Sequence, residues 1–248
     1  QAIKPLREGP SEPARYEILL RLRDPKSRKL IPPGAFLPAV DRYGLSLELD
    51  QWVVRNLMKA LFLHQSFAAD HRRYWINLSG SSIGEPRFAT FLRKAIEDSP
   101  LPPGTINFEV KEGSVIRNVE IAGQLIGDLR EMGCEFTLDD FGSGLSAFGY
   151  LRHLPVTSLK IDGMFVRNIV TDTTDRIFVK SIIDIARTLG INTICECIED
   201  EERHELVKEL GADYAQGFAL ERPFELAPHF PGLAAPSIPT DRHQEKAG

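Results

Sequence analysis

The sequence has few cysteines, no long apolar run and no basic excess, and each shortage argues against a class of protein. Its 248 residues include three cysteines, Cys134, Cys195 and Cys197. This odd number argues against a disulfide framework and favours a reducing compartment. No apolar run approaches the roughly 20 residues that span a bilayer, and the N-terminus contains no hydrophobic signal region. We therefore expect a cytoplasmic domain, with any membrane anchor in domains outside this chain.

The charge balance argues against binding of a nucleic-acid duplex. The formal net charge is −5, and the sequence contains no stripe of basic residues. A bound nucleotide is therefore expected to be a small ligand. Neither a G-x-G-x-x-G nor a Walker A loop is present, which argues against dinucleotide-binding and P-loop folds. The composition, 42% hydrophobic and 26% charged, is typical of a globular domain.

Short apolar runs alternate with stretches of helical period, which is typical of repeated βα units. The predicted strands are Tyr16–Leu22, Tyr74–Leu78, Ile106–Val110, Phe136–Leu138, Ser158–Ile161, Thr193–Ile198 and Tyr214–Ala215. The predicted helices are Leu47–Phe67, Pro86–Asp98, Val119–Met132, Thr174–Leu189 and Glu201–Leu210, three of them followed by a glycine stop, at Gly133, Gly190 and Gly211.

This alternation predicts an α/β fold, a TIM-type (β/α)₈ barrel, whose usual size is roughly 250 residues. A doubly wound open sheet is the alternative. Residues 1–14 are predicted to be an N-terminal linker, residues 15–231 one domain, and residues 232–248 a flexible tail, because both ends lack hydrophobic periodicity.

Two adjacent acids, Asp139 and Asp140, end a short apolar run and precede a glycine-rich loop. Burying an unpaired carboxylate costs several kcal/mol, so adjacent acids at a strand end are expected to face a cation. Their hard oxygen ligands suit Mg²⁺ or Mn²⁺. On the dipeptide alone, a solvated turn is the more economical interpretation.

Other polar residues recur at the ends of the predicted strands. They are Glu17, Arg21, Asn77, Glu109, Glu112, Lys160, Asp162, Glu196, Glu199 and Gln216. Each alone fits a surface charge or a paired buried group. In a barrel, however, they share one rim, where the acids would repel one another strongly without cations.

These residues fall in motifs that resemble the EAL-type cyclic di-GMP phosphodiesterase family over about residues 15–226. The motifs are Glu17-Ile18-Leu19-Leu20-Arg21, Asn77-Leu78-Ser79, Glu109-Val110-Lys111-Glu112, Asp139-Asp140-Phe141-Gly142-Ser143-Gly144, Leu159-Lys160-Ile161-Asp162, Cys195-Glu196-Cys197-Ile198-Glu199 and Gln216-Gly217-Phe218 with Pro223. The resemblance implies a barrel with one antiparallel strand that hydrolyses cyclic di-GMP to linear pGpG.

The resemblance also implies a site with two Mg²⁺ or Mn²⁺ ions, in which Ca²⁺ is expected to inhibit. The implied metal ligands are Glu17, Asn77, Glu109, Asp139, Asp140 and Glu196. The implied catalytic residues are Lys160, Glu196 and Glu199, with Lys160 orienting the attacking water or steadying the phosphorane charge. The implied substrate-binding residues are Leu20, Arg21, Asp162, Gln216 and Pro223.

By the same resemblance, the segment Phe141–Ser146 corresponds to a mobile loop over the metals, with Glu112 as its anchor. A homodimer that forms near this loop is expected. Lys111 stands where the family usually has threonine, and we expect it to pair with Glu112 and compete with the anchoring contact. Leu145 replaces a common tyrosine, and Ile18 replaces the alanine of the name motif.

Cys195 and Cys197 replace the small residues that usually flank Glu196. Strand alternation predicts that both pack on the face opposite that carboxylate. A thiol redox switch is the alternative, and it requires thiolate character.

Three functions fit the sequence. An active phosphodiesterase is favoured because every position implied as a metal ligand carries a competent residue. The alternative is a catalytically weak or inactive domain that acts as a cyclic di-GMP receptor or a protein-interaction module. A barrel enzyme that acts on another phosphodiester is the third.

Overall fold

The structure, a computed structural model, describes residues 1–7, 12–63, 72–143 and 148–226. Its strands are β1 (Ala2–Pro5), β2 (Arg15–Ile18), β3 (Leu22–Arg23), β4 (Leu30–Ile31), β5 (Arg73–Leu78), β6 (Ile106–Lys111), β7 (Phe136–Phe141), β8 (Ser158–Ile161), β9 (Asn192–Cys195) and β10 (Tyr214–Ala215). All except β3 and β4 close into a barrel in the order β1-β10-β9-β8-β7-β6-β5-β2. Strand β1 is antiparallel to both of its neighbours, and the other barrel pairs are parallel. The predicted barrel with one antiparallel strand is therefore confirmed.

Helices cover the outside of the barrel. They are α1 (Pro33–Arg42), α2 (Ser46–Leu63), α3 (Gly80–Ile83), α4 (Pro86–Glu97), α5 (Glu112–Ile116), α6 (Val119–Glu131), α7 (Gly163–Val166), α8 (Thr173–Thr188), α9 (Glu201–Leu210) and a 3₁₀ helix, Phe148–His153. Asp172 and Asp200 cap the N-termini of α8 and α9 with their side chains. The glycine stop after α9 is confirmed, because Gly211 has a φ of 89°.

Strand alternation separates the packed core from the polar interior of the barrel. On β6, Ile106, Phe108 and Val110 belong to the main apolar cluster. The intervening Asn107 and Glu109 are also completely buried but point to the opposite side of the strand. The sequence therefore uses one strand both to pack against the helices and to carry polar groups inside the barrel.

The N-terminal residues correct the predicted domain boundary, because Ala2–Pro5 is a barrel strand and not part of a linker. Ala2 pairs with Tyr16 on β2, and Lys4 pairs with Ala215 on β10. Without β1, the strands β2 and β10 would each present an open edge. The prolines that follow suggested a linker, but Pro5 only ends the strand.

Two predicted strands end earlier than expected, and four of the helices listed above, α1, α3, α5 and α7, were not predicted. The first ends at Ile18, and Leu22–Arg23 instead pairs with Leu30–Ile31 in a separate hairpin. Strand β9 ends at Cys195, two residues before Cys197 adopts a φ of 57°. Helix α1 contains a proline and has no buried residue, so it lacks the apolar stripe that predicts a helix.

Several predictions fall outside the described residues: the last part of the helix Leu47–Phe67, loop residues 144–146 and the tail 232–248. Among the described residues, none of the helices is both long and apolar enough to cross a membrane.

Candidate active site

The predicted metal ligands lie at the ends of neighbouring strands, together with the predicted catalytic Lys160 and the predicted substrate-binding Gln216. Glu17 is on β2, Asn77 on β5, Glu109 on β6, Asp139 and Asp140 on β7 and Lys160 on β8, while Glu196 follows β9 and Gln216 follows β10. Because these strands are parallel, their C-terminal ends share one rim of the barrel. The fold thus brings together residues that are up to 199 positions apart in sequence.

Lys160 is the centre of this group. Its Nζ atom lies 3.1 Å from Glu17 Oε2, 2.9 Å from Glu109 Oε2, 3.0 Å from Glu196 Oε1 and 3.7 Å from Asp139 Oδ1. The residue is 1% exposed. Burial alone would lower the pKa of its ammonium group, but the surrounding carboxylates raise this pKa well above the ordinary value. Lys160 is therefore a fixed positive charge inside the barrel.

Glu17 accepts hydrogen bonds from three neighbouring side chains, those of Asn77, Lys160 and Gln216. Asn77 Nδ2 donates to Glu17 Oε1 at 2.7 Å, and Gln216 Nε2 donates to Glu17 Oε2 at 2.7 Å. Burial raises the pKa of Glu17, but Lys160 and these two amides lower it below the ordinary value. Glu17 is thus held as a carboxylate, and the donation by Asn77 Nδ2 fixes the orientation of its amide.

The other three acids around Lys160 carry more negative charge than one ammonium group can balance. Burial raises the pKa of Glu109 well above its ordinary value, although Lys160 opposes this shift. The pKa values of Asp139 and Glu196 are also raised, by burial first and by neighbouring carboxylates. The site therefore favours an additional cation.

Buried carboxylate oxygen atoms that lack hydrogen-bond partners make the site suited to a divalent metal. Glu109 Oε1 and Asp139 Oδ1 are buried and have no hydrogen-bond partner within the described residues. Asp139, Asp140 and Glu196 each offer a carboxylate oxygen within 4.8 Å of the others. Oxygen donors of this kind are the ligands that Mg²⁺ and Mn²⁺ prefer. The residues present are thus suited to hold the predicted ions.

Lys111 contradicts the expectation that it pairs with Glu112. Its Nζ atom instead lies 2.5 Å from Asp140 Oδ2. The reason is geometric, because Lys111 on β6 is in register with Asp139 on β7, so its side chain reaches across to the next residue of that strand. The hydrogen bond to Asp140 raises the pKa of Lys111.

Glu112 contacts the start of the glycine-rich loop. Its Oε2 atom accepts a hydrogen bond of 3.0 Å from the Gly142 backbone N–H, and its Oε1 atom accepts one from the Tyr150 hydroxyl. Gly142 has a φ of 92°, and a Cβ atom there would lie 3.1 Å from the Phe165 ring. The buried carboxylate of Glu112 thus joins β7 to the 3₁₀ helix.

Five predicted site residues lie outside the Lys160 network: Leu20, Arg21, Asp162, Glu199 and Pro223. Arg21 is exposed and donates to the Leu20 carbonyl at 2.8 Å, and Asp162 caps α7. Glu199 and Pro223 are exposed. Among the described residues, none of the five has a hydrogen bond or ion pair with Lys160 or with its four acidic partners. Their predicted roles in substrate binding and catalysis therefore stay predictions.

The two cysteines differ in environment. Cys195 is completely buried in the apolar core, and burial raises the pKa of its thiol to about 12. Cys197 lies against Gly163, with its Sγ atom 3.6 Å from Arg167 Nη2, and burial raises its thiol pKa despite that guanidinium group. Raised pKa values oppose the thiolate that a redox switch requires. The packing interpretation is therefore favoured for both.

Sequence reasoning missed two residues that support the site. Tyr150 contacts Glu112, as described above. Asp50, which is buried on α2, accepts a hydrogen bond of 2.8 Å from the Ser79 backbone N–H just after β5. Its place on the same helical face as the buried Val54 and Leu57 was the available signal, since a charged residue in an apolar stripe needs a buried partner.

Comparison with known proteins is decisive at the level of the family. Residues 10–223 match the family described as the EAL domain. The chain belongs to the EAL domain family. Two solved structures resemble it closely. The Pseudomonas aeruginosa FimX EAL domain bound to c-di-GMP is 29% identical, with a TM-score of 0.80, 90% of this chain covered and 88% of that one. The MucR phosphodiesterase in complex with c-di-GMP is 30% identical, with a TM-score of 0.79 and 92% of each chain covered.

Curated relatives carry names that refer to the same nucleotide. This EAL domain is 38% identical over 217 residues to the cyclic di-GMP phosphodiesterase PdeB of Shewanella oneidensis, covering 88% of this chain and 25% of that protein. It is 35% identical over 208 residues to the cyclic di-GMP phosphodiesterase PdeF of Escherichia coli, covering 84% and 28%. The chain thus spans about a quarter of the length of these relatives.

Proposed function

We propose that this EAL domain hydrolyses cyclic di-GMP to linear pGpG with two divalent ions, Mg²⁺ or Mn²⁺. The observation that carries the proposal is the rim cluster around Lys160, in which buried carboxylate oxygens of Glu109 and Asp139 lack hydrogen-bond partners. Relatives named as cyclic di-GMP phosphodiesterases support the substrate. We propose the activity for this domain alone, since the relatives are much longer.

The residues divide naturally into two overlapping ligand sets. Glu17, Asn77, Glu109 and Asp139 would hold one ion, and Asp139 and Asp140 would hold the second, with Glu196 beside them. Bound ions of this type lower the pKa of a water molecule and offset the charge that develops on a phosphodiester. Ca²⁺ is expected to occupy the site and inhibit turnover, because it prefers more ligands and longer distances.

The chain's own side chains would position the reactants. Lys160 keeps its proton and supplies a fixed positive charge next to the acids, where it would steady negative charge on the phosphate. Gln216 holds Glu17 in place. The exposed guanidinium group of Arg21 offers a planar fork to phosphate oxygens, while Glu199 and Asp162 would orient the substrate at the rim.

The test is to incubate cyclic di-GMP with the purified domain in Mg²⁺, Mn²⁺ or EDTA and to measure its conversion by chromatography. We expect pGpG with either ion, no product in EDTA, and at least a roughly 100-fold loss of turnover in Glu109→Gln. Glu120→Gln, which changes an exposed acid on α6, is the matched control and should retain activity. Absence of product with both ions from the folded domain would contradict the proposal.

A second candidate function is a cyclic di-GMP receptor without useful turnover. The ion pair between Lys111 and Asp140 favours it, because it occupies a carboxylate proposed for the second ion. The FimX EAL domain, described as bound to c-di-GMP, supports binding as a property of the fold. Tight binding in Ca²⁺ and in Mg²⁺ without conversion would identify this function. The homodimer and the cytoplasmic location stay predictions.

A further inference from the structure

Lys111 places a positive charge directly on one of the acids of the rim. Its side chain is 65% exposed and its Nζ atom lies 2.5 Å from Asp140 Oδ2. Asp140 adopts a φ of 53°, which is uncommon for residues other than glycine and directs its carboxylate away from the regular path of β7. Lys111 is the cation that pairs with this side chain among the described residues.

The same carboxylate belongs to the group of oxygens suited to a second ion. Asp139, Asp140 and Glu196 offer oxygen atoms within 4.8 Å of one another, and the charges of Asp139 and Glu196 also act on Lys111. A divalent ion that binds there must displace the ammonium group from Asp140 or share the carboxylate with it. Displacement breaks the ion pair between Lys111 and Asp140, and sharing places two like charges close together, so both arrangements oppose binding.

We propose that Lys111 competes with the second divalent ion for Asp140, and thereby makes the second metal site weaker than the first. The inference rests on the proposed two-ion function and adds to it a determinant of the affinity for the second ion. Lys160 differs in role, because it is buried among the acids proposed for the first ion. Lys111 lies at the solvent edge, where it can swing away when an ion binds.

The experiment is a Mn²⁺ titration of the metal-free domain at fixed ionic strength, with free Mn²⁺ counted by electron paramagnetic resonance and heats measured by calorimetry. The variants are Lys111→Thr and Lys111→Met, the second of which keeps the apolar stem. Lys180→Thr is the control, because it removes the same charge from an exposed pair with Asp184 on α8. Circular dichroism checks that each variant is folded.

We expect two Mn²⁺ ions per wild-type chain, the second more weakly bound. In both Lys111 variants, the dissociation constant of the more weakly bound ion should fall about three- to tenfold. In Lys180→Thr it should be unchanged. One ion in the wild type and two in Lys111→Thr would also support the inference.

The inference would be overturned if the Mn²⁺ dissociation constant of the weaker site changed no more in the Lys111 variants than in Lys180→Thr. One ion in every variant would also overturn it. If cyclic di-GMP is still hydrolysed in the first case, the proposed function stands and only the role of Lys111 fails. Hydrolysis with one ion in every variant would keep the phosphodiesterase activity but contradict its two-ion form. No bound Mn²⁺ in any variant would overturn both.

Discussion

At the scale of single residues, Lys160 decides whether the rim acids can be buried together. Four carboxylates approach one ammonium group within 4 Å, and Glu109 is completely buried. A buried ion pair is not by itself stabilising, but removal of one partner leaves a buried charge without compensation. In the metal-free state, Lys160 thus supplies positive charge that balances the carboxylates, as the ions would in the metal-bound state.

We expect Lys160→Met to lower the free energy of unfolding in EDTA by about 3 kcal/mol at neutral pH. The loss should be smaller at about pH 5, because Glu109, Asp139 and Glu196 take up protons when their pKa values are raised. Urea denaturation followed by circular dichroism measures both values.

Lys180→Met is the control for this substitution, since Lys180 is 43% exposed and pairs with one acid at the surface. It should change stability by less than about 1 kcal/mol. If Lys160→Met is as stable as the control at neutral pH, the ammonium group does not compensate the buried acids.

At the scale of elements, the end of β7 departs most from a regular strand. The pairing of β7 with β8 shifts register between Leu138 and Phe141, where Asp140 takes a positive φ. The irregularity lets adjacent acids both reach the rim, although strict alternation would send them to opposite faces. Sequence periodicity located the strand, but it could not show this bulge, because a bulge is fixed by pairing with the neighbouring strand.

The carboxylate of Glu112 ties this strand end to the 3₁₀ helix that contains Tyr150. We expect Glu112→Ala to speed hydrogen exchange at the Gly142 amide, because that N–H loses its acceptor. Turnover of cyclic di-GMP should fall about tenfold, and Mn²⁺ affinity should weaken, because the backbone at Gly142, close in sequence to Asp139 and Asp140, loses its hydrogen bond to Glu112. Tyr150→Phe should show the same changes to a smaller extent.

Glu202→Ala, which removes an acid from the first turn of α9, is the control for general effects of charge. Unchanged Gly142 exchange, metal affinity and turnover in Glu112→Ala would count against its role as an anchor. Faster exchange with unchanged turnover would mean that the hydrogen bond at Gly142 is not needed for catalysis.

At the scale of the whole molecule, the sequence predicted the barrel and its rim better than the parts that close and connect it. Parallel strands end at one rim, so polar residues after apolar runs located Glu17, Glu109 and Lys160 without knowledge of the packing. The closing strand Ala2–Pro5 was missed, because four residues beside several prolines carry no period. The partner of Lys111 was also wrong, since cross-strand register decides it and sequence proximity does not.

The rim acids should also make the stability of the metal-free protein fall with pH, and bound metal should oppose this fall. The pKa values of Glu109, Asp139 and Glu196 are raised, so the metal-free folded state holds protons that the unfolded chain has released. The free energy of unfolding in EDTA should therefore fall as pH rises above about 4.5. Glu17, with a lowered pKa, acts oppositely, but its contribution is lost only as pH falls through its lowered, folded-state pKa.

Urea denaturation in EDTA and in excess Mg²⁺, between about pH 5 and about pH 8, measures this effect. Because Mg²⁺ binds ionised carboxylates, the stabilisation by metal should grow with pH. In Glu109→Gln, the free energy of unfolding in EDTA should fall less steeply with pH than in the wild type. The histidines contribute equally to both proteins, so their titration cancels in the difference. Stability in EDTA that rises across this range would mean that the rim acids are already ionised and balanced without metal, and the argument for an additional cation would then fail.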